Sequence, residues 1–372
     1  MGRIAYAGAR VFDGAQFREG ALIVEDGAVV GFGAAEGQVV DLGGGVLAPG
    51  FLDLQVNGSG GVAIDGATDR AVLETVCAVQ ARLGATGCLP TLITDTYDAT
   101  ARVVEAGIAA TKAQVPGFLG LHLEGPHLDP RRKGAHDPAL IRPMEARDLA
   151  LILEAAAELP ALMVTVAPES VTEAQIVAMA AAGVIVSLGH TDCSAGVARA
   201  AMAAGARCAT HLFNAMSQMG NREAGMVGAV LGAGGFAGLI ADGVHVDPLT
   251  MRVALAAKRE GVFLVSDCMA LAGTDGTEFR LGGRRILRAG GRLTLEDGTL
   301  AGADLTLPRA VQVLVEAVGI APERALAMAS SVPAAVIGRG DLGHLRPGAR
   351  ADMVHLSPDW ALRGVWRQGV AV

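Results

Sequence analysis

Phe118-Leu-Gly-Leu-His-Leu-Glu124, Val184-Ile-Val-Ser-Leu-Gly-His190 and Cys208-Ala-Thr-His211 are apolar runs, each ending on a side chain able to bind a metal. A short, continuous hydrophobic run is how a strand buried on both faces reads. Gly50–Val56, Cys88–Thr94, Leu162–Ala167, Ala237–Ala241 and Val262–Asp267 have the same character and bring the count to eight. Stretches rich in Ala, Glu and Arg separate most of them: Arg70–Gly84, Ala99–Ala113, Glu145–Glu158, Thr172–Ala182 and Pro248–Gly261. Eight strands alternating with helices predict a (β/α)8 TIM-type barrel, with a two-domain α/β arrangement as the competing reading.

The composition fits that size and class. The chain has 372 residues, of which 51% are hydrophobic but only 3% aromatic, so Ala, Val, Leu and Gly must fill the core. Its 51 glycines suit many tight strand–helix turns. A formal charge of −8 argues against a nucleic-acid partner or an anionic membrane surface, and an anionic substrate would need a local cationic pocket. Cys77, Cys88, Cys193, Cys208 and Cys268 are odd in number and lack CxxC spacing, which predicts free thiols in a reducing compartment. No signal peptide is visible, and the longest apolar stretch, around Ala229–Ala241, is too short and Gly-rich to span a membrane. The expectation is a soluble cytoplasmic protein.

Both ends of the chain read differently from its middle. Ala21–Val30 is a hairpin turning at Asp26-Gly27, a pair that tolerates positive φ. Ala351–Leu356 and Leu362–Ala371 have the same short-strand flavour. Neither end could bury a core alone. Residues 1–47 and 345–372 are therefore expected to form one small β-sandwich domain beside a catalytic barrel of residues 48–344. A strand pair turning at Asp297-Gly298 is expected to interrupt the barrel pattern between residues 279 and 301.

Polar residues in apolar surroundings gather at the ends of the runs. The first ends Leu54-Gln55-Val56-Asn57, the third supplies His122 and Glu124, and the fifth and sixth supply His190 and His211. Asp242 and His245 follow the seventh, and the eighth ends Ser266-Asp267. One such histidine is most often a hydrogen-bonded core residue, and one such aspartate a loop cap. Independent placement would not favour the same end of five or six strands. In a parallel barrel these ends meet on the rim that carries active sites. One carboxylate and two imidazoles leave a fourth position open to water, the pattern of a catalytic metal. The set suits one Zn2+, and Fe2+ or Co2+ would tolerate it. Such an ion polarises a carbonyl and lowers the pKa of water. Asp267 would accept the water's proton and pass it to a leaving amine.

His122-Leu-Glu-Gly-Pro-His127, Ser187-Leu-Gly-His-Thr191, Thr210-His-Leu-Phe-Asn-Ala-Met216, Ala241-Asp-Gly-Val-His245 and Val265-Ser-Asp267 resemble the amidohydrolase superfamily. Within it they are similar to the N-acetylglucosamine-6-phosphate deacetylases. Pro49-Gly50-Phe51-Leu52-Asp53 and Arg346–Asp352 are similar to that superfamily's domain joints, so the resemblance covers essentially the whole chain. It implies a metal on Glu124, His190 and His211 and an acid/base at Asp267. It also implies sugar contacts from Ala135, His136, Asn214, Ala215 and Asp242. Arg222 and His245 would hold a phosphate, and Leu300, Ala301, Gly302 and Ala303 would close over the pocket. A homodimer is expected from the family alone.

The residues support part of this. Arg222 lies in the polar loop Gln218–Glu223, where a net-negative protein would need a cation for a phosphate. His136 could donate to a scissile carbonyl and stabilise the oxyanion. Many superfamily members carry His-x-His where this chain has Gln55-Val56-Asn57, so a single metal is expected, with Gln55 and Asn57 hydrogen bonding within the rim. No P-loop pattern and no Gly-x-Ser-x-Gly elbow is present. The substrate expected is N-acetyl-D-glucosamine 6-phosphate. Its galactosamine epimer, or an N-acyl amino acid, is the alternative within the superfamily, and a catalytically silent barrel is the alternative outside it.

Overall fold

The computed structural model describes residues 2–372. Its centre is one sheet of eight parallel strands in sequential order. They are β1 (Phe51–Val56), β2 (Ala85–Ile93), β3 (Leu121–Glu124), β4 (Leu162–Val166), β5 (Ile185–Leu188), β6 (Cys208–Ala209), β7 (Phe236–Leu239) and β8 (Val262–Leu264). The expected barrel is present, and all eight strands fall on the runs that predicted them. Among them, β5, β6 and β8 stop short of the C-terminal ends of their runs, for a reason that lies in the site.

The helices between strands start where short polar side chains can satisfy the first free amides. Asp69 accepts from the Val72 amide to open α1 (Arg70–Arg82), and Thr96 accepts from Ala99 to open α2 (Tyr97–Lys112). Helix α3 (Ala146–Glu158) begins with a reciprocal Glu145/Asp148 pair, and α4 (Glu173–Ala181) with Thr172/Gln175. Ser194 caps α5 (Ala195–Ala203), which the sequence reading did not single out. The apolar stretch 229–241 is divided between α6 (Gly225–Gly232) and β7. Helix α7 (Pro248–Ala257) has Asp247 as its cap and Pro248 at its start. Among the described residues no helix is long and apolar enough to cross a membrane.

The seam between β8 and β1 is closed just beyond the strands. The Asp267 amide donates to the Gln55 carbonyl at 3.1 Å, and the Asn57 amide to the Cys268 carbonyl at 2.9 Å. Lower on the seam the fully buried Asp53 carboxylate accepts from the Ser266 amide, 3.2 Å from each oxygen, and from the Gln55 amide. One side chain thus stands in for a missing backbone ladder.

Both ends of the chain do pair. Met353–Leu356 runs antiparallel to Val46–Pro49, which in turn pairs in parallel with Arg10–Phe12. A second sheet, of four strands, comes from the N-terminal stretch alone, and its hairpin turns at Asp26 (φ 47°) and Gly27 (φ 79°). Tyr6, Leu22, Val24, Leu47 and Met353 pack between these sheets.

The excursion after β8 is larger than expected. Four antiparallel strands replace the predicted pair: β9 (Glu278–Leu281), β10 (Arg284–Ala289), β11 (Arg292–Leu295) and β12 (Leu300–Ala303). Gly282-Gly283 and Gly290-Gly291, all at positive φ, make the two turns that were not foreseen. The sheet buries Leu281, Ile286, Leu293 and Ala301 against Met269 and Leu271, which brings it over the barrel rim.

Asp53→Ala would leave the Ser266 and Gln55 amides without an acceptor, a cost of about 1–3 kcal/mol for each. The expected result is a lower urea midpoint at neutral pH; an unchanged midpoint would contradict the seam's role.

Candidate active site

His190 (φ 47°), His211 (φ 31°) and Asp267 (φ 50°) all leave their strands in the left-handed region. A non-glycine residue there costs about 1–2 kcal/mol, and such positions cluster where function over-determines the backbone. The same turn ends the ladder early, so Val184–His190, Cys208–His211 and Val262–Asp267 were too long as strands. It also swings the three side chains inward over the barrel axis.

They meet Glu124 there. Its Oε1 lies 3.0 Å from His211 Nε2 and 3.3 Å from His190 Nε2, and the two Nε2 atoms are 3.1 Å apart. All three side chains are buried, and Oε1 is aligned as a hydrogen-bond acceptor with neither ring. Ligands sharing one tetrahedral ion at bond lengths of 2.0–2.1 Å are about 3.3 Å apart. The triangle therefore fits one small divalent cation. The His190 ring is set for this: its Nδ1 donates to the Arg132 carbonyl at 2.7 Å, which leaves the Nε2 lone pair facing the cluster.

Glu124 is held in the ionised form that a cation needs, whereas His211 would give up its proton on binding one. Burial alone would push the Glu124 carboxyl up, but the close approach of His190 and His211 outweighs it and holds it well below the usual range. For His211, burial disfavours the charged ring, and the Glu124 carboxylate reverses that and raises it. Deep burial, reinforced by the charge on Glu124, lifts the Asp267 carboxyl to about 6, a value suited to a group that exchanges protons near neutrality.

Gln55 and Asn57 occupy the rim as expected. Gln55 Nε2 donates to Glu124 Oε2 at 3.1 Å, and Asn57 Nδ2 donates to Asp267 Oδ1 at 2.7 Å. Each amide thus spends a donor on a carboxylate of the site.

The remaining candidates divide into those the cavity gathers and those it does not. Ala135, His136, Asn214, Ala215, His245, Leu300, Ala301 and Gly302 line one cavity of about 240 Å3 with Glu124, His190, His211 and Asp267. Asp242 stands behind His245, with its Oδ2 2.6 Å from Nδ1. Ala303 is buried behind the wall, its amide donating to the Asp267 carbonyl at 2.8 Å. Arg222 is exposed on its loop and does not line the cavity of its own chain. His122, by contrast, is a core histidine. It contacts the Leu54 carbonyl and the Thr165 hydroxyl, and burial brings it down to about 4.

His136 projects its ring 4.3 Å from that of His190, centroid to centroid. Burial, then the neighbouring His190, hold its pKa well below the usual imidazole value, so the ring is neutral. Sequence reasoning missed Ile93, Ile240, Met269, Leu281 and Thr299, which form the less polar walls. No local motif marks them, because apolar lining residues look like core until the cavity is known.

Similarity to known proteins follows the site. The model of the Amidohydrolase family matches residues 46–372. A protein of Shewanella sp. (strain ANA-3) named N-acetylgalactosamine-6-phosphate deacetylase is 38% identical over 87% of this chain and 82% of its own length. One from Haemophilus influenzae named N-acetylglucosamine-6-phosphate deacetylase is 34% identical over 89% of each chain. The crystal structure of N-acetylglucosamine-6-phosphate deacetylase from Pasteurella multocida superposes with a TM-score of 0.94 at 32% identity, covering 100% of this chain and 99% of that one.

A resident cation should stabilise the fold, since a ligand at about a thousand times its Kd contributes about 4 kcal/mol. Chelation is therefore expected to lower the melting temperature of the wild-type protein by about 5–15 °C. Glu124→Gln should be largely insensitive to chelator, and an equal fall in both proteins would contradict the assignment.

Proposed function

The chain belongs to the amidohydrolase family, and from that premise we propose that it hydrolyses the acetamide of N-acetyl-D-glucosamine 6-phosphate to D-glucosamine 6-phosphate and acetate. The observation that carries the reading is the buried Asp267 carboxyl sharing one cavity with the Glu124, His190 and His211 triangle.

The ion that those three side chains would hold, which we take to be a single Zn2+, supplies Lewis acidity toward the amide carbonyl and makes water nucleophilic near neutral pH. Asp267 accepts the proton of the attacking water and delivers it to nitrogen as the C–N bond breaks. Asn57 holds Asp267 Oδ1 at 2.7 Å, so the carboxylate is oriented before substrate arrives. Neutral His136 donates to the oxygen on which negative charge develops, a contribution of about 10²–10³ in rate for one such donor. Asn214 and Ala215 contact the sugar, and 300–303 cover it. His245, oriented by Asp242, takes the phosphate, and Arg222, which lies outside its own chain's cavity, would reach it from the second copy of a homodimer. The same reading makes the working unit a homodimer, the catalytic part residues 48–344 and the compartment the cytoplasm.

A second substrate is favoured by one finding: the relative at 38% identity is named for the galactosamine epimer. Acetate release from a panel decides between them. The panel comprises the two epimeric N-acetylhexosamine 6-phosphates, their unphosphorylated forms and an N-acetyl amino acid. The phosphorylated glucosamine derivative should be hydrolysed with the highest kcat/KM. Arg222→Ala should lose phosphorylated substrates far more than unphosphorylated ones. Asp267→Asn should lower kcat by about 10²–10⁴ with metal content unchanged. Since Asp267 acts as the ionised base, the wild-type rate should fall as pH drops through its pKa. That limb lies no higher than about 6, because a bound cation opposes the upward push of burial. Near-full turnover by Asp267→Asn, or preference for the amino acid, would overturn the reading.

A further inference from the structure

His136 can act as a donor only if its single N–H faces the cavity, and the ring's other side decides that. Thr94 lies there, one residue beyond β2. Its backbone amide points at His136 Nδ1 at 3.3 Å, and its hydroxyl oxygen is 2.7 Å from the same atom. A backbone N–H can only donate. Nδ1 must therefore accept, the hydroxyl donates to it as well, and the one proton of the neutral ring sits on Nε2. Both partners are buried, which shields Nδ1 from bulk water.

The surroundings hold this pairing in register. Arg284, on β10, donates to the Ala135 carbonyl at 2.6 Å, and the His136 amide donates to the Lys133 carbonyl at 2.9 Å. Gly125 faces the Thr94 hydroxyl so closely that a Cβ there would lie 2.3 Å from Oγ1. The Thr94 side chain is thus confined to the space in front of the ring.

We propose that Thr94 is the positioning residue that fixes His136 as its Nε2–H tautomer and aims that proton at the substrate carbonyl. This rests on the oxyanion role given to His136 above, so the test separates the two. In holoenzyme labelled with [15N]histidine, with the His136→Gln spectrum assigning the signal, the wild-type ring should show its proton on Nε2 in the absence of any substrate. Thr94→Val, which keeps the branched shape and the amide but removes the hydroxyl, should show both tautomers. Its kcat should fall about tenfold or more with KM within about twofold, and Thr94→Ser should restore most of it. A wild-type proton on Nδ1 would overturn the proposal even if acetate is released as expected. A Thr94→Val enzyme within twofold of wild-type kcat would overturn it too. Loss of activity in His136→Gln tests the oxyanion role separately, and the wild-type spectrum decides the tautomer even if Thr94→Val does not fold.

Discussion

A carboxylate buried in the mouth of a barrel is the constraint on which the rest of the site depends. Glu124 is 2% exposed, and one of its oxygens has no aligned hydrogen-bond partner. Left uncompensated, a buried charge of this kind costs several kcal/mol. Two imidazoles at 3.0 and 3.3 Å compensate in part, and with their own nitrogens turned toward each other a shared cation would satisfy all three atoms. The site is organised around that requirement. Gln55 donates to the second Glu124 oxygen and the Arg132 carbonyl fixes the His190 tautomer, so two of the three ligands are held by a neighbour, while His211 Nδ1 has no hydrogen-bond partner among the described residues.

The backbone bears the strain of this arrangement. Three strand ends turn into the left-handed region to bring His190, His211 and Asp267 over the axis. Asn57 then links Asp267 back to β1, across the same seam that the Asp53 carboxylate closes below. Barrel closure and the orientation of Asp267 thus share the β8–β1 junction. The four-stranded excursion adds the outer wall, through Leu281 and Ala301, and reaches the His136 loop through Arg284.

Much of this was legible in the sequence because it rests on strongly patterned features. The eight apolar runs identified the eight strands, since strands buried on both faces admit few polar residues. Glu124, His190, His211 and Asp267 stood out because each is polar at the end of such a run. What could not be read depends on contacts between distant segments. The strand ends were misjudged because a positive φ at His190 or His211 leaves no mark in a histidine's identity. The excursion was underestimated because its glycine pairs resemble loop as much as turn. Thr94 had the right position, at the end of the second run, but a threonine there looks like an ordinary strand residue. Arg222 shows the opposite case: its charge was visible, while its distance from its own chain's cavity was not.

We propose that one cation, held by Glu124, His190 and His211, makes this barrel a deacetylase. The most direct test is to strip the protein of metal and follow acetate release from N-acetyl-D-glucosamine 6-phosphate as Zn2+ is added back in sub-stoichiometric steps. The expected result is a linear rise that breaks at one equivalent per chain. Activity that persists without metal, or that keeps rising to a break at two equivalents, would contradict it.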